Sequence, residues 1–452
     1  MRMNFKLFIG LFCVVGLFSA CTTDDLEPTL AQSKSVEGSI VDVSNLYGLL
    51  KGAMNNLSGA SYYGTLYYAT NEVRSDNCFS NGNSGRYITE AAFEQNRNAG
   101  FIWASAYSAI ANANIIINTD LTSLSGDPVE GRTYQGQALV IRALAHFDLV
   151  KSYGQHTTSS GNLGVPVVTE FKGEDLFPAR NTLSEVYNAV ISDLQQAYSL
   201  IDDSVANSSV FPTKMAAKAL EARVHLYFKQ YGEAATAAKI VIDSGKFSVT
   251  SASNYVGSWV ANGNSIFEID YSSTDTQGLA YIMRTNNGQG VYGDIQAVSD
   301  LAEIYDADDV RLGILGYEGS RLRNLGKYPN FQGFDNIPII RYEEVVLTYG
   351  EALLWTGNAS GALTYLNQIA SNRNADLYTE ATLDNFLLER RREFVFEGVR
   401  WDDMMRIGLN ADAVGPDEFV ISTLTFPNNK FAYPIPLVEL DANSNMVQNA
   451  GY

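Results

Sequence analysis

The stretch that decides the fold runs from Thr213 to Asp243: TKMAAKALEARVHLYFKQYGEAATAAKIVID. Its periodicity predicts two helices meeting at Gln230-Tyr231-Gly232, with Ala222 on the first and Ala234 on the second, twelve residues apart. The same grammar returns between Arg341 and Ser371, around Gly357-Asn358, where Gly350 and Ala362 hold the matching places. Small residues at that spacing let antiparallel helices approach closely, as in tetratricopeptide units of about 34 residues. A generic helical hairpin is the plainer alternative for either segment.

Working outward, helical spacing of apolar residues recurs over Val36–Leu57, Phe101–Ile117 and Gly136–Tyr153. Another helix runs towards Ile201, capped by Thr182 or Ser184. Lys246–Val249 and Ser265–Tyr271 read as short strands, and Asp275–Ile337 as a long irregular insertion between the repeats. An insertion of that length is usually functional. Leu383–Arg406 reads as one last long helix, with opposite charges at i, i+3 in Glu389–Arg392, Arg390–Glu393 and Glu397–Arg400. A buried ion-pair network explains that helix better than an acid–base site does. Helical periodicity also assigns Trp103, Trp355 and Trp401 to core packing.

The N-terminus carries a separate message. Arg2 and Lys6 precede an uncharged apolar run from Leu7 to Ala20, closed by Leu17-Phe18-Ser19-Ala20-Cys21. The run is short for a bilayer span and has the order of a secretory signal. A cysteine directly after the small residues resembles a bacterial lipobox, whose thiol is acylated at the mature N-terminus. An ordinary cleaved signal with a chance cysteine is the alternative. Residues 1–20 are thus read as signal peptide, 21–33 as lipidated N-terminus and tether, and 34–452 as a single domain. A twelve-residue tether spans at most about 40 Å extended and roughly 20 Å as flexible coil.

Bulk composition narrows the function. Without residues 1–20 the chain has 29 basic against 50 acidic residues. Such a surface repels nucleic acid, which needs a positive patch. Only Cys78 remains once Cys13 leaves and Cys21 is acylated, so no intramolecular disulfide forms and the fold rests on its core. A lone thiol without a motif is a poor nucleophile candidate. Asp308-Asp309 and Asp402-Asp403 are sequence neighbours, not a spaced carboxylate pair of the kind glycosidases use. His146, His156 and His225 lack metal-ligand spacing, and no phosphate loop or nucleophile elbow occurs. None of these patterns supports an enzyme reading.

Several segments together resemble the SusD/RagB family of outer-membrane nutrient-binding lipoproteins of Bacteroidetes. They include ALVIRALAHFDLVKSYG (138–154) with Gly164-Val165-Pro166-Val167-Val168, AAKALEARVHLYFKQY (216–231) and IRYEEVVLTYGEA (340–352). LERRREFVFEGVRWDDMMR (388–406) and the terminal Gln448-Asn449-Ala450-Gly451-Tyr452 complete the set, in order along nearly the whole chain. The resemblance implies a mainly α fold: tetratricopeptide-like helix pairs carrying a loop-rich ligand-binding half and a few short strands. It also implies a cell-surface lipoprotein, facing outward, that captures oligosaccharides and hands them to a TonB-dependent transporter of the SusC type. Some members take peptides instead, and a protein-binding repeat scaffold without transport is a further alternative. The acidic cluster Asp24-Asp25 after Cys21 looks like the export signal of such lipoproteins.

Family ligand sites draw on an early loop and on the insertion, here Arg74–Tyr87 and Tyr281–Phe331. Sugar binding needs aromatic faces against C–H surfaces and planar polar groups for the hydroxyls. Arg74, Asp76 and Asn77 are the expected hydroxyl readers. Tyr87, Tyr281 and Tyr292 are the expected stacking faces, with Phe79 and Arg284 behind them. No cofactor is implied, although an acidic loop leaves room for a structural calcium ion.

Overall fold

The structure, a computed structural model, describes residues 40–98, 100–170, 177–261, 264–284 and 292–452. The signal, Cys21 and the tether lie outside the described residues. Helices α1 (Val43–Ser58), α2 (Leu66–Val73), α3 (Trp103–Asn118), α4 (Pro128–Tyr153) and α5 (Leu183–Leu200) are followed by α6 (Lys214–Tyr227) and α7 (Tyr231–Asp243). The chain returns to helix in α8 (Tyr342–Trp355), α9 (Ala359–Ser371), α10 (Leu383–Phe394) and α11 (Val399–Ile407). Capping sets several starts: Thr182 and Glu185 form a capping box on α5, and Asp127 precedes Pro128 at the first position of α4. None of the described helices is long and apolar enough to cross a membrane.

The helices stack in sequence order as antiparallel neighbours: α3 on α4, α4 on α5, α5 on α6, α6 on α7. The two repeats read from sequence then pack directly on each other through α7 and α8, although the insertion separates them in the chain. Ala222, Ala234 and Ala362 are fully buried where paired helices meet. At Gly350 an added Cβ would lie 2.9 Å from the Phe386 ring and 3.1 Å from Tyr365 Cβ, so a larger residue would have to displace the ring and glycine is favoured. The insertion and the loop after α2 fold beside this stack around two-stranded antiparallel pairs. Strand β1 (Cys78–Ser80) pairs with β3 (Ile295–Ala297), and β2 (Ser265–Ile269) with β6 (Ile337–Arg341). Strand β4 (Leu315–Glu318) pairs with β5 (Arg321–Asn324), and β7 (Ala411–Val414) with β8 (Val420–Leu424).

Four expectations need correction. Lys246–Val249 forms no strand; it runs irregularly from α7 towards the insertion. The last helix is two, broken at Val395–Gly398, where Phe396 and Gly398 both take φ of 69°. The break brings Gly398 close to Tyr68, and its N–H donates to Glu72 Oε1 at 2.7 Å. Of the three anticipated charge pairs only Glu389–Arg392 forms, at 4.0 Å; Arg390 pairs with Asp403 and Glu397 turns inward. Trp103 and Trp401 are buried as expected, but Trp355 at the end of α8 is 47% exposed and stacks on Tyr231, centroids 5.0 Å apart.

The kink delivers Glu397 to a buried ion lattice that joins the insertion to the repeats. Arg341, at the end of β6, contacts Glu343 at 3.0 Å, Glu393 at 3.1 Å and Glu397 at 2.8 Å. Arg373 contacts Glu343 at 3.0 Å and Glu393 at 2.8 Å. Arg311 contacts Asp309 and Glu389, each at 2.8 Å, and Lys327 reaches Glu397 at 2.6 Å. All of these side chains are buried. Burial alone would raise the Glu393 carboxyl, but Arg373, Arg341 and Arg311 outweigh it and hold it well below the usual carboxylate range.

Two stability predictions arise. Glu393→Gln strands buried guanidinium charge and should cost about 3–5 kcal/mol in urea unfolding. Because the folded pKa of Glu393 lies below its unfolded value, this contribution is present above the ordinary carboxylate pKa and is lost as pH falls. The urea gap between wild type and Glu393→Gln should therefore narrow in acid. Glu72 has the opposite sign: burial raises its carboxyl from 4.5 to about 7, against opposing hydrogen bonds from Gly398 and Phe396. Its contribution is full below about pH 4.5 and is lost as pH rises through about 7. Glu72→Gln, which mimics the protonated acid, should exceed wild type in stability by up to about 3 kcal/mol at pH 8, with near equality at pH 4.5.

Candidate ligand-binding face

The pair β1–β3 carries the early loop, residues 81–87, against the end of the insertion. Asn81 N–H donates to the Asp294 carbonyl at 2.9 Å, extending the ladder by one rung. The side chains of Asn81 and Asn83 donate to the carbonyls of Gly293 (2.8 Å) and Tyr292 (2.6 Å). Ser84 donates through its N–H (2.9 Å) and hydroxyl (2.6 Å) to the buried Asp294 carboxylate. Gly82, Gly85 and Tyr87 take left-handed φ values, which let the loop double back over this anchor. Arg323 of β5 donates to the Gly293 carbonyl from the other side, at 2.8 Å. The loop tip is therefore held by polar bonds and not by apolar burial.

The outer surface of this assembly is an aromatic platform. Tyr292 is 46% exposed, and the Arg86 guanidinium lies 4.1 Å from its ring centroid. Arg86 also donates to Ser84 Oγ at 2.6 Å and stands 3.8 Å from Asp294. The Tyr281 carbonyl accepts the N–H groups of Tyr292 (2.7 Å) and Gly293 (2.9 Å), so Tyr281 sets the platform from below. Tyr87 is half-buried beside the loop, and burial raises its phenol above the ordinary range. The β4–β5 hairpin adjoining β3 carries Tyr317, 65% exposed.

The remaining sequence candidates are placed underneath. Arg74 is 1% exposed, with its guanidinium 4.3–4.9 Å from the rings of Trp401, Tyr433 and Phe93 and a hydrogen bond of 2.9 Å to the Phe431 carbonyl. It closes a core cluster and presents nothing to solvent. Asp76 receives two hydrogen bonds of 2.7 Å from Arg400, while Arg391 donates to the Asn77 side chain at 2.8 Å. Partial desolvation would raise the carboxyl of the half-buried Asp76, but Arg400 and Arg391 hold it below its ordinary pKa. Asn77 and Phe79 are buried. Arg284 is buried over the Phe331 ring at 4.5 Å and donates to the Tyr328 carbonyl at 3.2 Å. Arg74, Asn77, Phe79 and Arg284 are thus spent inside the fold, and the half-buried Asp76 is spent on Arg400. Arg86, next to Tyr87 in the same loop, and Tyr317 were missed; a loop arginine beside tyrosines was the available signal for the first. Cys78 is buried, and burial raises its thiol, so it is not nucleophilic. Among the described residues no group of three or more His, Cys, Asp or Glu side chains is placed to hold a metal ion.

Comparison with known proteins agrees with this architecture. Residues 30–226 match a family described as starch-binding and associating with the outer membrane, and residues 323–452 match the SusD family. A SusD-like protein of Formosa agariphila is 24% identical over 97% of this chain and 98% of its own. A solved structure from Bacteroides vulgatus superposes with a TM-score of 0.82 at 30% identity, covering 92% of this chain and 99% of that one. A SusD superfamily protein from Bacteroides thetaiotaomicron gives 0.81 at 26% identity, over 90% and 100%. With helical repeats, inserted ligand-binding half and near full-length likeness in agreement, this chain belongs to the SusD/RagB family.

Proposed function

We propose that this protein captures oligosaccharides at the cell surface and delivers them to a partner TonB-dependent transporter of the SusC type, without catalysis. The observation that carries the reading is the exposed Tyr292–Arg86 platform on a pinned loop. An open ring flanked by a guanidinium offers one face for sugar C–H groups and donors for hydroxyls. The family description, starch-binding and associating with the outer membrane, supports the same ligand class. An oligopeptide carrier would instead need backbone-reading amides in its groove. Here Asn81 and Asn83 are spent on the loop itself, which favours the sugar.

The domain reading follows: residues 1–20 direct export, 21–33 tether the chain through acylated Cys21, and the remainder binds ligand as one domain. The site consists of Tyr292 and Arg86 in contact with ligand, with Tyr87, Tyr281 and Tyr317 at its margins. Arg74, Asp76, Asn77, Phe79 and Arg284 act as positioning residues.

The ligand reading is tested with the chain lacking residues 1–21 on a glycan array, followed by titration calorimetry. Binding to at least one polysaccharide class is expected, and Tyr292→Ala or Arg86→Ala should weaken it about tenfold, or ~1.4 kcal/mol. Silence across glycans with binding to oligopeptides would reverse the assignment. Separately, Cys21→Ala should abolish outer-membrane retention on cell fractionation while leaving soluble-domain affinity unchanged. Normal membrane recovery of that variant would remove the anchor.

A further inference from the structure

A cavity of about 610 Å³ lies away from the platform, where the N-terminus of α5 meets the C-termini of α6 and α11. It shares no residue with the Tyr292 face. Its walls are half-buried rings, Tyr187, Phe228 and Phe426, together with Leu183. Its rim is exposed and polar, with Asn162, Ser184, Asn188, Lys229 and Gln230. The floor holds Tyr227, His156, Met405 and Arg406. Lys229 takes a φ of +62°, turning the chain between α6 and α7 so that Phe228 and Gln230 both border the opening.

The charge on the floor of this groove is settled internally. Arg406 is buried and matched by Glu351, at 2.6 and 2.7 Å, and by Asp403 at 2.8 Å. His156 Nε2 is bonded to the Tyr227 hydroxyl at 2.7 Å, and burial depresses the imidazole to about 4, so it is neutral at physiological pH. None of the described lining residues is Asp or Glu, in a chain with 50 acidic residues. Apart from Lys229 on the exposed rim, the groove pairs aromatic walls with amide and hydroxyl side chains, and its described lining holds no carboxylate that would call for a cationic ligand. Its volume lies within the range of small-ligand sites, roughly 300–1,000 Å³.

We propose that this groove is a second binding site, distinct from the Tyr292 face, for a short neutral oligosaccharide. The wall rings would take the apolar faces of the sugar, and Asn162, Asn188 and Gln230 would bond its hydroxyls. The ligand class rests on the carbohydrate reading above, whereas the place rests on the groove alone. Two sites on one chain would let a polysaccharide strand or two short fragments be held together, raising avidity without tighter contacts.

Methionine methyl labelling tests it on the mature lipidated chain in detergent micelles. Met405 reports on the groove, and Met283, in the helical turn with Tyr281, reports on the other face. The probes are maltotriose, cellotriose, xylotriose, chitotriose and trialanine. At least one trisaccharide should shift the Met405 methyl saturably. Asn188→Trp, an exposed substitution that fills the opening, should raise that apparent Kd at least tenfold and spare any Met283 response. Tyr292→Ala should do the reverse. A Met283 response with Met405 silent to every trisaccharide overturns the second site alone. Silence of both methyls to all sugars removes the carbohydrate reading with it. A Met405 shift with trialanine only, or one unaffected by Asn188→Trp, also overturns the proposal.

Discussion

The buried ion lattice around Glu393 is the constraint on which the rest of the structure depends. Its four cations come from three places in the chain: Arg311 and Lys327 from the insertion, Arg341 from the end of β6, and Arg373 just past the end of α9. Its central carboxylates, Glu389, Glu393 and Glu397, lie on α10 and the kink that follows. Charges taken out of water are costly unless every one finds partners, so the lattice tolerates few alternative arrangements. It fixes where the insertion sits on the repeats, which apolar packing alone would specify less sharply.

From that junction the fixing is passed to the ligand face. Arg391 and Arg400, on the two helices flanking the kink, hold Asn77 and Asp76 at the start of β1. Glu72 receives the Gly398 N–H from the kink itself, which ties α2 to the same point. Further out, Asn81, Asn83 and Ser84 bond to Tyr292, Gly293 and Asp294 just before β3, and the surface ends in an open ring and guanidinium. The base is thus locked by buried charge, whereas the tip is held by polar bonds near the surface.

A second polar core ties α4 to the start of α2. The hydroxyls of Tyr62, Tyr63 and Tyr67 all donate to Asp148 of α4, at 2.7, 2.5 and 2.9 Å, and Lys151 closes the group at 3.1 Å. Burial raises all three phenols. This accounts for part of the tyrosine richness of the chain: these rings are structural cross-links between α4 and the first turn of α2 with the segment before it, not ligand surfaces.

The helix pairs could be read from sequence because they are local: periodicity, capping residues and the small residues at 222, 234, 350 and 362 act within a few turns of one another. So could the existence of a buried charge network near residues 389–406, since so many charges on an otherwise apolar helix need partners. The family, too, was legible in its ordered motifs. What the sequence could not supply was which partners those charges take. The i, i+3 pattern offered Glu393 to Arg390 and Arg400 to Glu397, yet a four-residue kink sent each to groups far along the chain. The same holds for the site. Arg74 and Tyr292 are both polar-tipped residues in plausible loops, but burial of one and exposure of the other depend on how α11, β3 and the C-terminal segment close around them. The sequence by itself determined the repeats and the classes of residue available for binding. Tertiary structure alone decided which of those side chains face solvent, because exposure is set by contacts between segments hundreds of residues apart.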